Sequence, residues 1–110
     1  MSTSLSQVVP ELIESARAAE RGLATAMGAS SGPLRQVVAA LRADALLPDH
    51  ENPGDATLQC LEGEVELATT SGSSSVVLTQ GDLVVIPHER HYLRAVTDTA
   101  VIITQRRDVH

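Results

Sequence analysis

The chain has 110 residues with 14 acidic and 8 basic side chains, so its formal net charge is −6, and only 1% of its residues are aromatic. A chain of this length suits one small domain. Because it has neither a basic surface nor aromatic residues on which bases stack, we exclude nucleic acids and anionic membranes as partners. The single Cys60, the lack of a basic start followed by an apolar run, and the lack of a spanning apolar stretch predict a soluble cytoplasmic protein.

The apolar residues between Val9 and Arg21 recur every three or four positions, which is the period of one helical face. The spacing predicts one N-terminal helix over 9–21, with Pro10 at its first position and Gly22 at its end. The apolar stripe of this helix has to pack against something. Two interpretations remain open: the helix covers its own domain, or it crosses to a second subunit.

After Gly22 the sequence changes to short runs of β-forming residues separated by Gly, Pro, Asp and Ser, as in an all-β sandwich or barrel. Residues 64–67 alternate between charged and apolar, which is typical of a strand with one buried face. The run 83–86 is apolar throughout and predicts a strand that is covered on both faces. We predict nine strands, at 23–27, 34–42, 45–49, 56–61, 64–69, 75–79, 83–86, 91–96 and 99–104.

The segment from His50 to Gly63 has a spacing that carries information. Asn52 follows His50 by two positions, Ala56 comes after three intervening residues, and Gly63 after six more. A second segment starts at Gly81, reaches Pro87 after five residues, and continues to His91. Together these segments resemble the two motifs of the cupin superfamily, Gly-x5-His-x-His-x3–4-Glu-x6-Gly and Gly-x5-Pro-x-Gly-x2-His-x3-Asn.

The resemblance covers residues 50–104. This part of the chain is also similar to a group of small bacterial cupins of unassigned function. It implies an all-β fold, a cupin-like double-stranded β-helix (jelly-roll barrel) with one N-terminal α-helix. Residues 1–110 then form a single cupin domain. It consists of the helix at 9–21, N-terminal strands at 23–49 and a barrel core of cupin type at 50–104.

Metal sites in cupins usually consist of three His and one Glu, so the resemblance implies His50 and His91 as ligands of a divalent transition metal such as Zn, Fe, Mn or Ni. This chain has Asn52 in place of the second His and Ala56 in place of the Glu. Two imidazoles alone form an incomplete ligand set. The side chains that would have to complete it are Glu51, Asp55 or Cys60.

Side chains on a strand alternate between its two faces, so an inward-facing His50 defines which other residues face the barrel interior. The predicted interior set is Asn52, Ala56, Leu58, Cys60, His91, Leu93 and Ala95. We expect His50, Asn52, Cys60 and His91 to lie together at the mouth of the barrel, as ligand-binding residues above a roomy aliphatic lumen. Arg94 has the opposite parity and is predicted to pair with Glu64 or Glu66 on the outer face.

Two classes of function remain open. The first is a binding protein that holds a small organic ligand in the barrel without established catalysis. The alternative is a metal-dependent cupin enzyme, of dioxygenase or isomerase type, that uses His50 and His91. Asn52 and Ala56, where ligands would stand, favour the first class. The strand at 34–42 is apolar on both faces and needs cover on each, which predicts a homodimer.

Overall fold

The computed structural model describes residues 2–50 and 54–106, the side chains of residues 49 and 50 excepted. In this part of the chain one helix is followed by nine strands, so all nine predicted strands are present. The largest difference is at the end of the first strand, which continues to Ser31. The elements are α1 (Leu5–Ala18), β1 (Leu23–Ser31), β2 (Leu34–Leu41), β3 (Leu46–His50), β4 (Ala56–Glu62), β5 (Glu64–Thr69), β6 (Ser75–Thr79), β7 (Leu83–Val85), β8 (His91–Ala95) and β9 (Thr99–Arg106).

The strands form two antiparallel sheets that face each other. The five-stranded sheet has the order β1-β2-β9-β4-β7 and the four-stranded sheet the order β3-β8-β5-β6. Buried side chains from both sheets meet between them in one cluster that includes Leu58, Leu67, Leu93 and Val101. This arrangement confirms the predicted mostly-β jelly-roll fold with one N-terminal helix.

The alternation of side chains along the strands follows the prediction. On β4, Ala56, Leu58 and Cys60 are buried in the interior while Thr57 and Gln59 lie on the other face. On β8, the inward residues are His91, Leu93 and Ala95. The interior is packed with these aliphatic side chains along most of its length, so the expected roomy lumen is not what the strands enclose.

Helix α1 begins at Leu5 and ends at Ala18, so it starts and ends earlier than the predicted range 9–21. Leu5 lies one turn before Val9 and packs on the same cluster, which extends the apolar stripe upstream. Pro10 is consequently inside the helix, where it leaves the carbonyl of exposed Ser6 to water. No helix in the described ranges is long and apolar enough to cross a membrane.

The apolar stripe of α1 covers the outer face of the five-stranded sheet. Val9 and Ile13 pack with Val38 and Ala40 of β2 and with Ala100 of β9. The helix of the same chain therefore supplies the cover that the strand at 34–42 needs, and this strand requires no second subunit for it.

The strand β7 differs from the prediction that both of its faces are covered. It is an edge strand, and α1 does not extend over it. Leu83 and Val85 consequently remain 65% and 69% exposed on the outer face. Their partner on the interior side, Val84, packs against the core.

Candidate functional site

The barrel interior has two chemically different ends. The first, which we call the Cys60 end, is lined by residues without exposed surface: Cys60, Val65, Ala95 and Val101. The second, which we call the His91 end, carries polar groups on both sheets. Its inward-facing residues are Thr69 and His91 on the four-stranded sheet, and Arg35, Ala56 and Gln105 on the five-stranded sheet.

The imidazole of His91 is the most buried titratable side chain at this end, with 2% of its surface exposed. Its Nδ1 lies 2.8 Å from the carbonyl oxygen of Glu89. A carbonyl oxygen only accepts, so Nδ1 carries the proton and donates it to Glu89. In the neutral ring Nε2 is then the acceptor nitrogen. In this tautomer it is Nε2 that can accept a hydrogen bond or bind a metal ion.

The loop after β5 is held against this end by hydroxyl groups. Thr69 accepts a hydrogen bond from the backbone N–H of Ser74 at 3.0 Å and its Oγ1 lies 3.2 Å from the hydroxyl of Ser73. The hydroxyls of Ser71 and Ser73 in turn donate to the carboxylate of Glu89, at 3.2 and 3.4 Å. Glu89 therefore orients His91 through its backbone carbonyl. Through its carboxylate it anchors the loop at 70–74, which we call the serine-rich loop.

On the five-stranded sheet, the register places Arg35 opposite Gln105, and Gln105 opposite Ala56. Arg35 is in phase with Ala39 and Leu41, which face the interior, so its side chain is on the barrel side of β2. Sequence reasoning missed Arg35 and Gln105. The signal that identifies Arg35 is its position in the alternating pattern, a charged residue on the otherwise apolar face of β2.

Cys60, predicted to share the mouth with His91, lies at the other end of the barrel. It is four residues along β4 from Ala56, about 13 Å at the rise of a strand. Its Sγ lies 3.5 Å from the carbonyl oxygens of Glu62 and Gly63, and burial raises the pKa of the thiol. The structure thus does not bring Cys60 and His91 together.

For three of the predicted site residues the structure describes no side chain. The backbone of His50 ends β3 and stands directly opposite His91 in the ladder between β3 and β8, but its side chain is not among the described ones. Asn52 and Glu51 lie outside the described residues altogether. Asp55 is described: its carboxylate is 76% exposed and lies 3.5 Å from Nε2 of His88.

The donor set that the structure describes at the His91 end does not fit a transition-metal site. Ala56, where the family motif has a Glu, offers no ligand atom, and Thr69 and Gln105 are poor ligands for such ions. Among the residues with described side chains, no three His, Cys, Asp or Glu are grouped as a metal ion requires. We therefore derive no chemistry through a metal, and the assignment of His50 and His91 as ligands stays a prediction.

A concavity of about 600 Å³ lies on the outer face of the five-stranded sheet, in the part that α1 leaves uncovered. Leu34, Thr57, Val85 and Thr104 line it on the outer face, Ala56 and Gln105 of the His91 end border it, and Arg106 is at its margin. Arg94, on the outer face of the other sheet, donates to Glu66 at 3.3 Å as predicted.

Comparison with known proteins identifies relatives through structure. No protein-family model matches the chain, and no curated protein sequence matches it. Among solved structures, KdgF from Halomonas sp. is 26% identical with a TM-score of 0.69, covering 81% of this chain and 84% of that one. An RmlC-like cupin from Shewanella frigidimarina is 25% identical (TM-score 0.70; 80% and 78% covered), and one from Desulfovibrio desulfuricans 27% identical (TM-score 0.67; 74% and 79% covered).

These neighbours share the two facing antiparallel sheets over about three quarters or more of the chain, in agreement with the motif spacing at 50–63 and 81–91. The arrangement of strands, the buried His91 at the start of β8 and the structural neighbours lead to the same assignment. The chain is a small protein of the cupin superfamily.

Proposed function

We propose that the protein binds a small organic molecule at the His91 end of the barrel and does so without a catalytic metal. The observation that carries this proposal is the placement of polar groups. The interior is aliphatic at the Cys60 end, whereas Thr69 and His91 on one sheet and Arg35 and Gln105 on the other face inward at the His91 end. A few convergent polar groups above an apolar floor are the usual composition of a small-molecule site.

His91 supports the proposal through its fixed orientation. A buried polar side chain is costly unless it forms hydrogen bonds, and the bond from Nδ1 to Glu89 at 2.8 Å holds the His91 ring in place. The same bond fixes the orientation of the ring and its neutral tautomer, in which Nε2 is the acceptor nitrogen. The hydroxyls that anchor the loop of Ser71 and Ser73 hold this geometry in place.

The space available at the His91 end and its access to solvent also support the proposal that a ligand binds there. A cavity of about 130 Å³ is lined by Thr69 and also by Leu67, Val84 and Pro87. That volume corresponds to roughly four water molecules, at about 30 Å³ each. Arg35 and Gln105 are half-buried, so part of each of these two side chains also reaches solvent.

The test is a titration followed by ¹H–¹⁵N NMR, with a panel of neutral sugars, amino acids, sugar acids and short-chain carboxylates. We expect at least one compound to shift the resonances of Thr69, His91 and Gln105. His91→Ala should weaken its binding at least about tenfold, since the ring is the buried polar anchor. His88→Ala is the matched control, because that imidazole is 63% exposed and lies only three residues away.

Two results would overturn the proposal. One is the absence of shifts at the His91 end with every compound of the panel. The other is binding that is confined to the outer concavity of Leu34, Thr57 and Val85 and is unchanged in His91→Ala.

We also propose that the protein forms a homodimer through the uncovered part of the five-stranded sheet. Leu83 and Val85 on the edge strand β7 and Leu34 on β2 are exposed around the concavity of about 600 Å³. A second copy, with the same apolar face, would bury these side chains in an isologous contact. Light scattering at micromolar concentration should give twice 11.6 kDa.

A pair of variants locates the interface. Val85→Glu should shift the mass to that of one chain, because it places a charge in the apolar contact. Val77→Glu makes the same change on the other sheet, at a residue that is 51% exposed, and should leave the dimer intact. A mass of one chain for the unmodified protein would contradict the dimer.

A further inference from the structure

Among the described residues, Arg35 has a side-chain donor without a protein partner. Its Nε is shielded from solvent and has no hydrogen-bond partner in the structure. Nor does its guanidinium form an ion pair or hydrogen bond with any side chain that the structure describes. An N–H donor that is shielded from solvent and left unsatisfied is unfavourable, so the buried Nε of this half-buried side chain calls for a ligand that satisfies it.

Three other arginines of the chain, by contrast, have protein partners. Arg17 binds the carboxylates of Asp98 and Glu14, and Arg94 binds Glu66. Arg42 donates two hydrogen bonds to backbone carbonyls at 3.0 Å.

The neighbours of Arg35 form a row across three strands at the His91 end. Gln105 stands directly opposite, and its side-chain amide makes no hydrogen bond with a described residue. Ala56 stands opposite Gln105 on the next strand and leaves room where a larger side chain would fill the row. Three groups therefore face the interior side by side: the guanidinium of Arg35, the amide of Gln105 and the small side chain of Ala56.

Two carboxylates that the structure describes near this end are directed elsewhere. Asp55 is 76% exposed and faces His88, while Glu89 accepts hydrogen bonds from the serine-rich loop. No described carboxylate lies within ion-pair distance of Arg35. Although the chain has a net charge of −6, this row presents a positive charge that no described carboxylate neutralises.

We infer that the ligand of the His91 end carries a carboxylate, which Arg35 binds with its guanidinium while the Gln105 amide donates a further hydrogen bond. This inference rests on the proposed function of the same site. A guanidinium matches the two oxygens of a carboxylate in a bidentate pair. One Arg and one neutral amide balance a single negative charge, which favours a carboxylate over a doubly charged phosphate in a partly buried site.

The test uses butanoate against its uncharged analogue butanamide, with inorganic phosphate as a third probe. The Nε–H resonance of Arg35 and the backbone resonances of Gln105 and Ala56 are followed by NMR. We expect butanoate to shift them with at least tenfold higher affinity than butanamide or phosphate. Arg35→Gln should weaken butanoate at least tenfold, and Arg35→Lys, which keeps the charge but not the fork, by a smaller factor.

Arg21→Gln is the matched control, because Arg21 is exposed and lies before β1 at the Cys60 end; butanoate affinity should not change. Thermal unfolding of Arg35→Gln separates a binding role from a structural one. We expect no loss of the midpoint temperature, since the substitution removes an unsatisfied buried donor and breaks no described bond.

The outcomes distinguish this inference from the proposed function. If neutral sugars shift His91 while butanoate shifts nothing, the carboxylate inference fails and the binding site stands. If phosphate binds more tightly than butanoate, or if Arg35→Gln binds butanoate unchanged, the inference is likewise overturned. If no compound shifts any residue of the His91 end, both fail.

Discussion

The guanidinium Nε of Arg17 donates to the carboxylate of Asp98 across 2.6 Å, which ties the last turn of α1 to the connection between β8 and β9. The other oxygen of Asp98 accepts the backbone N–H of Ala43 at 2.9 Å, in the connection between β2 and β3. These contacts hold the pKa of Asp98 below its ordinary value, with the Ala43 bond as the largest cause and the Arg17 bond next. One carboxylate thus joins the helix to two turns of the barrel.

We expect Asp98→Ala to lower the free energy of unfolding by about 1–2 kcal/mol near neutral pH, because the Ala43 N–H and Arg17 lose their acceptor. The pKa of Asp98 is lower in the folded than in the unfolded chain. Its stabilisation is therefore present above the unfolded pKa and is lost as the pH falls through the folded pKa. Urea unfolding near neutral pH and in strong acid measures the free energy of unfolding of the unmodified protein and of Asp98→Ala. The difference between these two proteins should shrink in acid.

Glu14→Ala is the control for this prediction. Glu14 also pairs with Arg17, at 3.0 Å, but its side chain is 71% exposed. We expect a change below about 0.5 kcal/mol, since exposed ion pairs contribute little. An equal loss in Asp98→Ala at both pH values would contradict the role of the charge.

Gly63, between β4 and β5, is a second test of packing. Its φ is 85°, and a Cβ added there would overlap the carbonyl oxygen of Asp98 and lie 2.8 Å from Oγ1 of Thr99. We expect Gly63→Ala to lower the free energy of unfolding by about 3 kcal/mol or more, from backbone strain and steric overlap together. Urea unfolding measures the loss.

Gly72→Ala separates these two contributions. Gly72 has a similar φ of 82° in the serine-rich loop, but an added Cβ meets nothing within 4 Å. We expect a loss of only about 1–2 kcal/mol there, which is the cost of the left-handed conformation for an L residue. If both variants lost the same free energy, the overlap with Asp98 would not be the cause.

The thiol of Cys60 should be unreactive in the folded protein. Burial raises its pKa, and it has no exposed surface, so both the thiolate population and the access of a reagent are reduced. We expect Ellman's reagent at mildly alkaline pH to label the native protein at least about a hundredfold more slowly than the urea-unfolded chain. Rapid labelling of the native protein would contradict the placement of Cys60 in the core.

Metal content tests the donor set at the His91 end. Protein purified without a His-tag should hold well below one transition-metal ion per chain by elemental analysis, because Ala56 supplies no ligand atom. Treatment with EDTA should leave the thermal midpoint unchanged. A stoichiometric metal that is lost in both His50→Ala and His91→Ala would instead support the metal-dependent alternative.

Much of the fold followed from local patterns. Alternation along β4 and β8 predicted the buried faces of Leu58 and Leu93, because the side chains of a strand alternate strictly. The helical stripe was predicted from its period, but its start at Leu5 was not. Pro10 favours a first helical position locally, whereas packing of Leu5 on the barrel extends the helix beyond it.

The composition, the strand pattern and the motif spacing by themselves determined the all-β fold, the family and which residues face inward. Only the tertiary structure decided what those residues meet. It places Cys60 and His91 at opposite ends of one interior, and covers β2 with α1 while β7 stays exposed. It also aligns Arg35 with Gln105 across a ladder that joins positions 70 residues apart, and such pairings depend on register between distant strands, which no local pattern specifies.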